Sequence, residues 1–328
     1  MTLLGSSLDT IYAPIQKELK DFSQSLEKEL ASNDALINNI HQHLLKMTGK
    51  FLRPALTLLS SKIAGEGAID PAIQLAVAAE LIHTATLVHD DIIDDSDFRR
   101  NQPSVHSRWG RDLSIVSGDY LYAKAFLILA NLEDTKIAKA FAMCAHVMCE
   151  GEMKQIEKRK EFYLTEEEYF KIIHKKTAAL FQASCMGGAY LSGNGLPYVE
   201  KLGEYGYALG MAFQIVDDCL DLSAKTEEIG KQAGLDLAKS DVTLPVLYLY
   251  AELEQAQKKE FLSRIQNPSQ ENLDEIRELA QQYGVFDKAM NQARIFAQTA
   301  SNCLKDIPSS HARESLAQLV DYCLERGR

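Results

Sequence analysis

Apolar residues recur at intervals of three and four over Ile69 to Asp91, Ser114 to Leu132, Thr135 to Ile156 and Tyr198 to Leu222, the spacing of one buried helical face. No segment convincingly alternates with the period of two that a half-buried strand needs. Turn chemistry interrupts the pattern at Gly65-Glu66-Gly67, Asn101-Gln102-Pro103, Gly193-Asn194-Gly195-Leu196-Pro197 and Asn267-Pro268, which divides the chain into roughly a dozen predicted helices. No Pro- or Gly/Ser-rich linker, solenoid-length repeat or low-complexity segment separates them. Residues 1–328 are therefore expected to form a single all-α domain. The part after about Gln255 is richer in Gln, Glu and Lys and is expected to support the core, with function lying before it.

Composition agrees with a folded chain: 46% of residues are hydrophobic and 25% charged, far from the composition of disordered segments. The net charge of -11 repels polyanions, so nucleic acid and acidic lipid are not expected as main partners. Any anion must be held by local groups. Cys144, Cys149, Cys185, Cys219, Cys303 and Cys323 form no Cys-x-x-Cys pair, which fits a reducing compartment. Met1 to Ser7 show no cationic segment leading into an apolar one, so the cytoplasm is the expected location. The longest apolar stretch, Ala72 to Val88, is interrupted by Gln74, Glu80 and His83. It falls short of the ~20 apolar residues of a membrane span and reads as a buried helix.

Two acid clusters interrupt the apolar helices: Asp90, Asp91 and Asp94, and Asp217, Asp218 and Asp221. With about 100° between successive residues, each Asp-Asp-x-x-Asp set shares one helical face. Both sit at the C-terminal end of a helix, where the dipole and mutual repulsion disfavour carboxylates. Hard oxygen donors in this spacing suit magnesium, which carboxylates share with water and substrate phosphates. A solvated helix end accounts for one such cluster and poorly for two that each follow an apolar run. The two are expected to face each other across one active site.

Basic residues flank the first cluster. Arg99 and Arg100 can clamp a diphosphate, and the alternative is simple neutralisation of neighbouring acids. Lys50 and Arg53 precede Pro54, which suits the first turn of a helix whose N-H groups favour anions. Lys175-Lys176-Thr177 and the Lys231-bearing loop from Gly230 to Asp236 follow further on. His89 and His106 read as structural, without a zinc-ligand spacing.

In this order these segments resemble the trans-isoprenyl diphosphate synthase, or polyprenyl synthetase, family over nearly the whole chain. The resemblance rests on Gly49 to Pro54, Ile82 to His89 leading into the first cluster, Gly151-Glu152-Met153-Lys154-Gln155, Lys176-Thr177, Gly210 to Gln214 leading into the second cluster, and Gly230 to Leu237. It implies an isoprenoid synthase helical bundle with a central cavity. It also implies condensation of isopentenyl diphosphate with an allylic diphosphate to an all-trans polyprenyl diphosphate. Lys50, Arg53, His83 and Arg100 would bind isopentenyl diphosphate; Arg99, Lys176, Thr177, Gln214 and Lys231 would hold the allylic diphosphate. The six aspartates would hold magnesium, about three ions with substrate bound, and the assembly would be a homodimer, or a pair with a small regulatory subunit.

Two departures from the family pattern stand out. Asn101 replaces a glycine after the arginine pair, a mild change because Asn visits positive φ. Asp241 replaces a lysine that usually contacts diphosphate, which leaves Lys239 as a candidate substitute. In that family aromatic residues at the Ala85 and Thr86 positions stop growth early, so the small side chains here imply a medium or long product. Ala78, Ala79 and Ile82 would line the wall below them, with Phe126 at its floor. Terpene cyclases share the fold but normally lack the second Asp-Asp-x-x-Asp. Shorter-chain farnesyl or geranylgeranyl synthases and a catalytic subunit of an unequal pair are the nearer alternatives.

Overall fold

The computed structural model describes residues 8–47, 49–65, 68–132, 134–159, 164–223, 237, 239, 241–266 and 269–326. They form two compact units. One comprises Met1–Ala145, Leu180–Gly206 and Cys303–Leu319, the other His146–Ala179, Tyr207–Asn302 and Val320–Arg328.

In the first unit, helices α1 (Leu8–Ile11), α2 (Gln16–Leu30), α3 (Ala35–Lys46) and α4 (Leu52–Ser61) lead to α5 (Ile69–Ile93). Asp34 caps α3 by accepting the Leu36 and Ile37 N-H groups, the usual service of an aspartate at that position. α5 is touched by α2, α4 and α7 (Arg111–Asn131). A helix covered on several sides is apolar almost all round, which is why Ala72 to Val88 is nearly continuous in the sequence. By length and hydropathy α5 and α7 could each pass for a membrane span; 67% of the α5 window is buried inside the protein, against 39% of the α7 window.

Between α5 and the short α6 (Val105–Trp109) lies a hairpin of β1 (Phe98–Arg99) and β2 (Gln102–Pro103), with Phe98 opposite Pro103 and Arg99 opposite Gln102. The expectation of no strands misses it, since two-residue strands are too short for any periodicity. Its turn residues Arg100 and Asn101 have φ 50° and 61°, the positive pair of a two-residue hairpin turn.

The second unit contains most of α8 (Thr135–Arg159) and α11 (Val199–Ser223), together with α9 (Glu166–Ile173). α9 opens on a capping box between Thr165 and Glu168 and runs into a π-helical turn, His174–Ala178. α10 (Ala179–Leu191) follows, and the later helices are α12 (Leu244–Glu252), α13 (Gln255–Gln266), α14 (Gln270–Gln282), α15 (Val285–Cys303) and α16 (His311–Glu325). One core cluster joins Leu222, Val246, Leu249, Phe261 and Ile276; another joins Tyr169, Met211, Ile215, Leu244 and Ala293.

Candidate active site

α5 carries the first acid cluster at its C-terminal end, which Asp95 closes with φ 50°. Asp91 turns inward and is 2% exposed. Its Oδ1 accepts Arg99 Nε at 2.8 Å and lies 2.8 Å from a terminal nitrogen of the same guanidinium. The hairpin makes this contact, because its turn folds Arg99 back against the helix it has just left. Asp90 and Asp94 are half-buried and one helical turn apart, so their carboxylates share a face.

The basic groups gather beside that end. Arg53 lies in the first turn of α4 with its guanidinium carbon 4.9 Å from the centre of the Phe181 ring. Arg100 donates to the Met47 carbonyl. Its guanidinium fills the space where a Cβ on residue 49 would stand, 2.4 to 2.7 Å away, so Gly49 admits it. His83 is pulled well below its ordinary proton affinity by burial, then by Arg53, Arg100 and Arg99. One turn earlier Glu80, 7% exposed, is pushed up by burial against the opposing pull of Arg53 and Arg100. Arg53, Arg99 and Arg100 thus gather around His83 together with two buried acids, Glu80 and Asp91. Lys50 is exposed just upstream, its carbonyl accepting the Tyr12 hydroxyl at 2.9 Å.

The second cluster shows the same division. Asp218 is 3% exposed, accepts Tyr169 Oη on Oδ2 at 2.6 Å and accepts Gln214 Nε2 on Oδ1 at 2.8 Å. Burial pushes its carboxyl above the usual range against both hydrogen bonds, and Asp217 and Asp221 push further. Asp217 and Asp221 are partly exposed. A nitrogen of Arg326 lies 2.9 Å from Asp217 Oδ1, while the guanidinium stacks 3.5 Å from the Phe213 ring and donates to the Phe213 carbonyl. Thr177 donates to Gln214 Oε1 at 2.7 Å from the π-helical turn, the kind of widened turn that recurs at functional sites. Lys176 pairs with Glu152 at 2.5 Å. A Cβ on Gly151 would come within 2.7 Å of Lys175 Cβ and 3.0 Å of Lys176 Cγ, so the glycine lets these helices approach.

Asp241 is held by Arg159, Nε to Oδ1 at 2.5 Å and a terminal nitrogen to Oδ2 at 2.7 Å. A buried ion pair thus stands where the family lysine would be. Lys231 lies outside the described residues, while Lys239 is half-buried. Of the chain-length candidates, Ala85 is fully buried, as are Ala78, Ala79 and Ile82. Thr86 is half-buried and bonds back to the His83 carbonyl at 2.7 Å. Phe126 stacks on Tyr122, which stacks on His89.

Sequence reasoning did not single out Tyr169 or Arg326, and treated Glu80 only as an interruption. A tyrosine on an amphipathic helix reads as core. Arg326 lies in the stretch expected to be supportive, and only folding brings it to Asp217. Glu80 did carry a signal, as the sole acid within an apolar run.

The profile of the family described as Polyprenyl synthetase matches residues 34–283. The chain is 37% identical over 323 residues to a prenyl transferase of Cyanophora paradoxa, covering 98% of this chain and 99% of the relative. It is 33% identical over 322 residues to an octaprenyl diphosphate synthase of Haemophilus influenzae, covering 98% and 97%. The crystal structure of a polyprenyl synthase from Caulobacter crescentus CB15, complexed with calcium and isoprenyl diphosphate, superposes with a TM-score of 0.92 at 33% identity, covering 99% of both chains. With its helical fold, two acid clusters and the cationic group around Glu80, the chain belongs to the trans-isoprenyl diphosphate synthase, or polyprenyl synthetase, family and is a prenyltransferase that makes polyprenyl diphosphates by head-to-tail condensation.

Proposed function

We propose that residues 1–328 act as one catalytic domain that extends an allylic diphosphate with isopentenyl diphosphate to an all-trans product of C30 to C50, such as a quinone side-chain precursor. The observation that carries this reading is a division repeated within each acid cluster: one aspartate is turned inward and two carboxylates stay partly exposed. Partly exposed carboxylates suit magnesium, which keeps water and substrate phosphates among its ligands. Of the six aspartates, Asp90, Asp94, Asp217 and Asp221 are the direct ligands in this reading, since Asp91 is turned to Arg99 and Asp218 to Tyr169 and Gln214. The calcium in the Caulobacter structure supports a divalent ion.

Held by these carboxylates, magnesium would supply positive charge that favours departure of the diphosphate from the allylic carbon. Arg99, Lys176, Thr177 and Gln214, with Lys231, hold the allylic substrate. Lys50, Arg53, His83 and Arg100 orient isopentenyl diphosphate so that its double bond meets the allylic carbon. Half-buried His83, kept from taking up a proton by desolvation and its arginine neighbours, donates one hydrogen bond without adding charge. The new bond leaves a cation that loses a proton, which the departed pyrophosphate can accept. Exclusion of water protects both cations.

The exposed apolar stripe on α7 supports a homodimer, and six free cysteines support a reducing cytoplasm. The test is direct: the purified chain is incubated with magnesium, isopentenyl diphosphate and primers of increasing length, and the products are sized. A ladder ending between C30 and C50 is expected. A ladder ending at C15 or C20 would mark a short-chain synthase, and no incorporation with any primer would favour a subunit that needs a partner.

A further inference from the structure

The hydrogen bonds behind the second cluster have a common direction. Tyr169 Oη and Gln214 Nε2 both donate to Asp218, and Thr177 Oγ1 donates to Gln214 Oε1. Every hydrogen in the chain therefore points toward the Asp218 carboxylate. Tyr169 is 2% exposed and Asp218 3%, so water does not compete freely for these groups. Gln214 and Thr177 are half-buried and buried, respectively.

We propose that Tyr169 is a positioning residue that acts through Asp218 to fix which way the Gln214 amide faces. A primary amide has an oxygen that only accepts and a nitrogen that only donates, and its two flipped states have nearly the same shape. Asp218 selects between them by accepting the nitrogen. It does so reliably only while its own carboxylate is held, and the phenol is the group that holds the second oxygen. Without the phenol the carboxylate can rotate and the amide can flip, which would put an N-H where the Thr177 hydroxyl now finds an acceptor. Gln214 and Thr177 would then no longer face the allylic substrate in the one orientation that these bonds select. The site of Tyr169 also explains its seat on α9. The capping box fixes the start of that helix, and the π-helical turn that follows carries Thr177, so one rigid segment delivers both ends of the chain of bonds.

This inference rests on the proposed condensation, and its test separates the two. Tyr169→Phe removes one hydroxyl and keeps the ring. With an active wild-type enzyme, kcat should fall roughly ten- to hundredfold, as expected for lost alignment. The KM for isopentenyl diphosphate and the magnesium concentration for half activation should stay within about twofold, because neither substrate charge nor metal is touched. In a Gln214→Ala background Tyr169→Phe should cost nothing further, since residues that act through one another are not additive. Asp217→Asn, in contrast, should raise the magnesium requirement. If Tyr169→Phe fails to fold, Tyr169→Met is measured in its place, and its loss of kcat should likewise vanish in the Gln214→Ala background. Unchanged kcat, additive losses with Gln214→Ala, or a magnesium shift like that of Asp217→Asn would each overturn it. An inactive wild-type chain would instead point to a subunit that needs a partner, and the same variants are then compared in the reconstituted pair.

Discussion

His83 shows how much of this site is made by neighbours rather than by residue type. A histidine surrounded by Arg53, Arg100 and Arg99 and largely removed from water holds its proton weakly, and its proton affinity is depressed well below the ordinary 6.5. Below about pH 6.5 the unfolded chain therefore takes up a proton that the folded chain refuses, and stability is lost as pH falls from that value at up to about 1.4 kcal/mol per pH unit. Above it the contribution is complete. Glu80 acts with the opposite sign: its raised affinity contributes stability at low pH that is lost as pH rises from its ordinary range. His41 and His174 are also lowered by burial, so the informative measurement is a difference. Chemical denaturation of His83→Gln should show a flatter acid limb than wild type between about pH 6.5 and 5.5; parallel limbs would mean that His83 is protonated in the fold. In the sequence, the residue types of this group were legible and their mutual electrostatics were not. Arg53, His83 and Arg100 come from α4, α5 and a hairpin turn, and no spacing rule connects them.

At the level of elements, periodicity found the long helices because each buries one face or more. α5 was expected over Ile69 to Asp91 and runs to Ile93; α11 was expected over Tyr198 to Leu222 and spans Val199–Ser223. The hairpin was illegible as strands, although its turn residues were marked as a break, and the tie from Arg326 to Asp217 depends on tertiary packing of the last helix. Helical geometry also separates two positions that look equivalent in sequence. Thr86 is one turn from Asp90, and His83 is one turn further along the same face. Ala85 is rotated by about 100° from Thr86 and lies wholly in the core. If the growing tail follows the Asp90 face, Thr86→Phe should shorten the product ladder with a modest change in melting temperature. Ala85→Phe should chiefly overpack the core, at a cost of about 1–3 kcal/mol, visible as a lowered melting temperature. A shortened ladder from Ala85→Phe, with unchanged products from Thr86→Phe, would reverse the assignment.

On the scale of the whole molecule, α7 is the element whose sequence and surroundings agree least. It is as apolar as α5, yet only 39% of its apolar window is buried. Val116 (62% exposed), Tyr120, Ala123 and Leu127 (56%) fall on one stripe at helical spacing, and Ile115 lies beside it. Single exposed apolar residues need no explanation, but a contiguous stripe marks an interaction surface. A second copy is the occupant that fits, because the same stripe can pair with itself about a two-fold axis. The length of α7, 21 residues or about 30 Å, provides a long seam for such pairing. Leu127→Asp would place a charge in that seam, with no partner to offset its desolvation, and should weaken association by roughly ten- to hundredfold. Sedimentation at micromolar concentration should then show the wild-type chain at twice the monomer mass and Leu127→Asp largely at the monomer mass. If both sediment as monomers, the stripe is not a self-association surface. If both sediment as dimers, the seam lies elsewhere on the molecule and the exposed face of α7 is open to the small subunit of an unequal pair.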